Sequence, residues 1–250
     1  MASGPMEQFK IEREADLFEI AGQTVSWTNS SFWMVVSVVL IIGFFILTMR
    51  GKLIPGRMQS MGELSYEFIA DMVRDTVGPE AMRFMPYVFA IFFFILFSNL
   101  IGMNPYAFTT TSHLAVTAAL AIFTILMVMV AGIFKNGLGW FKIFAPSGLP
   151  LPMYLIIIPI EIISFLSRPV TLAVRLFANM VAGHVLLKLF AIFAAFLLAK
   201  GGITSVGVIL PVVGTLGIVA LEFLVAALQA FVFAILTCVY LNDVYHVGHH

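Results

Sequence analysis

Residues 152–199 read PMYLIIIPIEIISFLSRPVTLAVRLFANMVAGHVLLKLFAIFAAFLLA, an apolar run in which Glu161, Arg168, Arg175, His184 and Lys188 stand as isolated charged or basic groups. A second apolar run, residues 203–245, follows Lys200-Gly201-Gly202 and carries Glu222 and Gln229. Each run is nearly twice the roughly 20 residues that a helix needs to cross a hydrocarbon core of about 30 Å. A continuous helix of more than about 40 residues reaches beyond about 60 Å. It must therefore tilt steeply, bend at Pro159, Pro169 or Pro211, or protrude. We expect a steeply tilted, bent helical hairpin over 152–245, with a broad lateral surface inside the membrane and a partner to fill it.

The composition of the whole chain agrees with that reading. Of 250 residues, 61% are hydrophobic and 10% charged, against roughly a quarter charged in a soluble domain. Lys135 and Lys142 are the charged residues between 84 and 160. With 25 Phe and few turn-rich stretches, alternating barrel strands fit poorly, so the expected class is an all-α integral membrane protein. Basic and acidic residues balance at 13 each, which argues against a nucleic-acid partner. Cys238 is the single cysteine, so it is read as packing. Glu7, Glu12, Glu14, Asp16 and Glu19 fall within residues 1–29; a cleaved signal is not expected there, and the first hydrophobic segment should direct insertion.

We expect a single membrane domain over 1–250, with about five membrane-embedded helices and one amphipathic surface helix. Residues 1–29 form an external segment and 31–49 the first span. Arg50, Lys52 and Arg57 then make a basic flank that faces the cytoplasm, with Trp27 and Trp33 at the outer interface. Over 58–77, Met61, Leu64, Phe68 and Met72 form one stripe, and Glu63, Glu67, Asp71 and Arg74 lie mostly on the other. Such a helix lies along the membrane surface; its mixed polar face meets either a partner protein or solvent. Residues 85–134 make a helical hairpin broken by Asn104-Pro105 and by Thr109-Thr110-Thr111-Ser112-His113, and Lys135 and Lys142 return the chain to the inside.

Ionisable groups at membrane depth are functional suspects, since an Arg near a helix centre costs about 2.5–3.5 kcal/mol on insertion scales. Glu161, Arg168 and Arg175 are spaced by seven and drift only about 20° per step on an ideal helix, so they share a face with Ser164, Thr171 and Asn179. His184 points roughly the other way unless the helix bends. Glu222 and Gln229 again lie seven apart. Glu and His exchange protons, whereas Arg keeps its charge. The pattern suits proton transfer at a membrane-embedded site, with Arg175 as a fixed electrostatic element that repels hydronium. The plainer alternative is a salt bridge from Arg175 to Glu161 or Glu222.

The run Ser167-Arg168-Pro169-Val170-Thr171-Leu172-Ala173-Val174-Arg175-Leu176-Phe177-Ala178-Asn179-Met180-Val181-Ala182-Gly183-His184 strongly resembles the signature of subunit a of F-type ATP synthases. Residues 228–233 and 236–241, LQAFVF and LTCVYL, match the same family. The resemblance implies a non-catalytic proton-channel stator subunit in which Arg175 faces the proton-carrying carboxylates of a rotating c-ring and separates two offset half-channels. Asn179 and Gln229 would be its polar neighbours, and His184 and Glu222 would line the outer inlet. Many bacterial members carry Glu and His in the reverse order; the exchanged pair resembles mitochondrial and alphaproteobacterial members and suggests that the two side chains act as a unit. Glu161 and Ser164 match the exit side. Arg168 stands for a Lys of some members and is read as an outlet-lining or lipid-facing cation. The implied partners are the c-ring, peripheral-stalk b-type subunits and membrane lipid, and the implied location is the bacterial inner membrane.

Other readings are poorer. A secondary transporter should show repeated halves, and none is visible; an intramembrane hydrolase lacks a nucleophile and base set. His113 is read as a solvated loop histidine rather than a channel mouth, and His246, His249 and His250 as a tail rather than a metal cage. Lys188 is read as either a snorkelling cation or a pore residue. No phosphate-binding loop or zinc-helix motif occurs, and no cofactor or metal is expected.

Overall fold

The computed structural model describes residues 13–20, 23–49, 51, 54–104, 107–144 and 151–245. Arg50, Lys52, Pro105 and the histidines at 246, 249 and 250 lie outside them, as does the side chain of Lys142.

The architecture is helical: α1 (Asn29–Thr48), α2 (Arg57–Thr76), α3 (Met85–Gly102), α4 (Leu114–Asn136), α5 (Leu151–Lys200) and α6 (Ile209–Tyr245). Five segments among the described residues are long and apolar enough to cross a membrane: those containing α1, α3, α4, α5 and α6. Before them, β1 (Arg13–Ile20) and β2 (Gln23–Thr28) pair antiparallel, with Ala15 opposite Trp27 and Ile20 opposite Gln23. The helical reading left this hairpin out. Its signal was the cluster of strand formers Thr24, Val25, Trp27 and Thr28 after Gly22.

At 50 residues, α5 is about 75 Å long, far more than a hydrocarbon core is thick. It continues through Pro159 and Pro169, which each remove one ladder hydrogen bond. Pro211 instead sits in the first turn of α6, where its missing N–H has no helical partner to lose.

The described chain forms two compact units. In the one comprising Ile42–Phe93, Leu114–Arg175 and Ala230–His250, Ile125, Val128, Trp140, Phe165, Tyr240 and Val244 make a buried apolar cluster. Helix α2 buries Ile69, Ala70, Met72 and Val73. Met72 of the apolar stripe is therefore packed, Phe68 keeps one side against the rings of Phe92 and Phe231, and Met61 and Leu64 stay exposed. The ends of α4 and α6 are clasped: Lys135 Nζ lies 3.1 Å from Glu80 Oε2 and 3.5 Å from the centre of the Tyr245 ring, and Asn136 Nδ2 donates to the Val244 carbonyl at 2.6 Å. The other unit, Met1–Ile41, Phe94–His113 and Leu176–Gln229, holds the hairpin, the end of α3, its connection to α4, and facing lengths of α5 and α6.

Candidate functional site

In the unit containing Leu176–Gln229, α5 and α6 run antiparallel, so the charged and amide side chains of the two long runs meet in pairs. Asn179 Nδ2 donates to Gln229 Oε1 at 3.1 Å, and the Gln229 side chain is buried. About one and a half turns further along α5, His184 Nδ1 lies 3.8 Å from Glu222 Oε1, with side chains 12% and 10% exposed. Further still, the Phe190 ring covers Gly214. Gly183 makes the central approach possible: a Cβ built there would collide with Glu222 Oε1 and lie 3.0 Å from its Cδ.

The carboxylate of Glu222 is buried, and among the described residues neither oxygen has a hydrogen-bond partner. The histidine beside it is tightly held. Its Nδ1 faces the Met180 carbonyl at 3.0 Å, and its Nε2 faces the Gly102 carbonyl at 2.8 Å and Thr109 Oγ1 at 3.2 Å. Acceptors on both ring nitrogens accommodate a ring that carries hydrogens on both. The pair therefore joins an anchored imidazole to a carboxylate that no donor locks in one protonation state, which is the chemistry of proton exchange.

The residues expected to form one stripe on α5 divide. Glu161, Ser164 and Arg175 belong to the unit with Leu114–Arg175, and Asn179 to the other, which also holds His184. Arg175 is exposed. Among the described residues of its own unit no carboxylate lies within ion-pair distance of it, Glu161 included. Glu161 and Ser164 are half-buried, and the Ser164 carbonyl accepts from Ser167 Oγ at 2.7 Å. Arg168 has its own partner: Nη1 is 2.9 Å from Asp243 Oδ2, and its guanidinium lies 4.9 Å from the Tyr240 ring centre. His113 is not a solvated loop residue. It is half-buried and stacks on Phe108 with ring centres 5.0 Å apart, and burial lowers its pKa from the ordinary 6.5.

Sequence reasoning missed Asp243, Asn99, Gly102 and Thr109. Asp243 was legible as an isolated charge ending the last apolar run. The other three carry no charge, and only the fold brings them to the site.

Residues 31–242 match the family described as ATP synthase A chain. The chain belongs to that family. It is similar over its whole length to the ATP synthase subunit a of Hyphomonas neptunium, at 57% identity over 100% of this chain and 99% of that protein. The subunit a of Nitrobacter hamburgensis is 51% identical over 98% and 99%, and that of Allorhizobium ampelinum 51% over 100% of both. A member of this family with five spanning-length apolar helices is a multi-pass membrane protein.

Proposed function

We propose that this chain is the non-catalytic, proton-translocating stator subunit of a bacterial ATP synthase, seated in the inner membrane against a c-ring and held by peripheral-stalk b-type subunits. Arg175 separates two half-channels and attracts each c-ring carboxylate as it passes. His184 and Glu222 deliver protons from the outer side, Asn179 and Gln229 supply the polar ground beside the arginine, and Glu161 and Ser164 lead to the exit. Nucleotide chemistry belongs to other subunits.

One observation carries this reading. Arg175 is a permanent charge on an exposed stretch of an apolar helix, beside Val170 and Val174, which are 60% and 46% exposed, and among the described residues of its unit no carboxylate lies within ion-pair distance of it. A charge so placed is expensive in a membrane and calls for a carboxylate from outside the chain. At 100 mV each proton supplies about 2.3 kcal/mol, and a leak past the arginine dissipates it. The test is Arg175→Ala in the assembled complex, in reconstituted vesicles. Loss of proton-driven ATP synthesis with passive proton leakage is expected; normal synthesis would overturn the reading.

A further inference from the structure

The hydroxyl run Thr109–Ser112 lies in the connection between α3 and α4, where an exposed polar loop would be ordinary. All four residues are instead buried, and buried hydroxyls are costly unless hydrogen-bonded. Thr111 Oγ1 donates to Asn99 Oδ1 at 2.8 Å, and Ser112 Oγ donates to the Thr109 carbonyl at 2.6 Å. These bonds pin the connection against the end of α3. Thr109 Oγ1 donates to the Gly102 carbonyl at 3.0 Å and lies 3.2 Å from His184 Nε2.

A hydroxyl has one hydrogen to give. Since Thr109 gives it to Gly102, its oxygen can only accept from the imidazole. The Gly102 carbonyl, 2.8 Å from the same Nε2, can also only accept. Two acceptors on one nitrogen hold a hydrogen there more firmly than a single acceptor does. Nδ1 faces one such acceptor, the Met180 carbonyl at 3.0 Å, and Glu222 at 3.8 Å, so losing the hydrogen from Nδ1 sets a lone pair against one acceptor rather than two, and the proton that comes and goes sits there.

We propose that Thr109, seated by Gly102, is a positioning residue that fixes the Nε2–H tautomer of His184 and so makes Nδ1 the atom that exchanges protons with Glu222. The inference rests on the proton-inlet role proposed for His184 and Glu222. Gly102 is part of the device because a side chain there would meet Thr109 Cγ2 at 2.8 Å and Oγ1 at 3.2 Å. Any larger residue displaces the hydroxyl from the ring. Glu222 of α6 faces the imidazole at 3.8 Å, Lys188 stands one turn further along α5, and the connection itself contributes the titratable His113.

The experiment measures ATP synthesis driven by an imposed proton gradient in vesicles containing the whole complex, across a range of outer-side pH. Thr109→Val keeps the shape and removes the acceptor. It is expected to lower synthesis up to about tenfold, the worth of one ordinary hydrogen bond, and to shift the pH profile. Thr109→Ser keeps both near those of the unaltered protein. Gly102→Ala should lose synthesis, and Gly102→Ala with Thr109→Ser should regain it, because serine lacks the obstructing methyl. An unaltered rate and pH profile in Thr109→Val overturns the proposal. If that variant does not assemble, the Gly102→Ala pair decides, and absence of recovery overturns the proposal. His184→Ala separates the two levels: full synthesis there removes the inlet reading itself, whereas its loss alongside an unaffected Thr109→Val removes only the role of Thr109.

Discussion

Gly183→Ala should uncouple His184 from Glu222 without replacing either ionisable group. The added Cβ collides with Glu222 Oε1 and lies 3.0 Å from Cδ and 3.1 Å from Cγ, so the whole end of the side chain must withdraw, by about 1 Å, to regain ordinary contact. At an effective dielectric of about 20, two unit charges 3.8 Å apart attract by about 4.4 kcal/mol, and at about 5 Å by about 3.3 kcal/mol. The difference of about 1 kcal/mol is roughly a fivefold effect on a step that depends on the pair. Overpacking adds about 1–3 kcal/mol of local strain, which should appear as lower thermal stability of the complex. The assay is gradient-driven ATP synthesis normalised to assembled complex, with Gly217→Ala as the control, since a Cβ at Gly217 meets nothing within 4 Å. The control should be neutral or slightly stabilising, because alanine favours the helix by about 1 kcal/mol. A fully active, fully assembled Gly183→Ala complex would refute the claim that the close approach of Glu222 matters.

Other outcomes follow from the same geometry. His184→Glu combined with Glu222→His should restore more gradient-driven synthesis than either single change; a double variant no better than the poorer single one would show that the two do not act as a unit. Asp243→Asn breaks a pair whose side chains are 20% and 39% exposed, so after solvent screening its cost should be about 1 kcal/mol or less. A shift of more than several degrees in the thermal unfolding of the complex would contradict this. For His113 the pKa is lowered by burial from 6.5, so the unfolded chain binds the proton more readily. Its contribution is then present above about pH 6.5 and lost as pH falls toward the lower folded value. His113→Gln should flatten that acid limb of stability, and an unchanged limb would count against it.

What the sequence made legible follows from which interactions are periodic. Helix existence and type could be read because an apolar run of spanning length has few alternatives, and α5 announced itself through its length. The strand pairing of residues 13–28 was not read, because acidic residues hid the short alternation around Ala15, Phe18, Val25 and Trp27. Periodicity also placed Arg168 and Arg175 on one face. It could not show that Asp243 neutralises the first, a contact across 75 positions. Nor could it show that a hydroxyl of the α3–α4 connection reaches His184, since contacts between elements depend on where glycines such as Gly102 and Gly183 let two backbones approach.

The contrast between the two arginines bears on function. Both border the packed stripe of α5 formed by Phe165, Leu172, Ala173, Leu176 and Met180, one heptad apart, so helix geometry alone gives them equivalent settings. Their difference comes from α6. In the unit they share, Arg168 lies level with Tyr240 and bonds Asp243. Carrying that antiparallel register seven residues along both helices brings the level of Arg175 to Phe233, which is fully buried and has no charge to offer. At the level of Arg175 that register places no acidic residue of α6. Among the described residues of its own unit Arg175 has no carboxylate within ion-pair distance, and that setting is what the role proposed for it requires, since a charge left open can attract a passing carboxylate and release it on protonation.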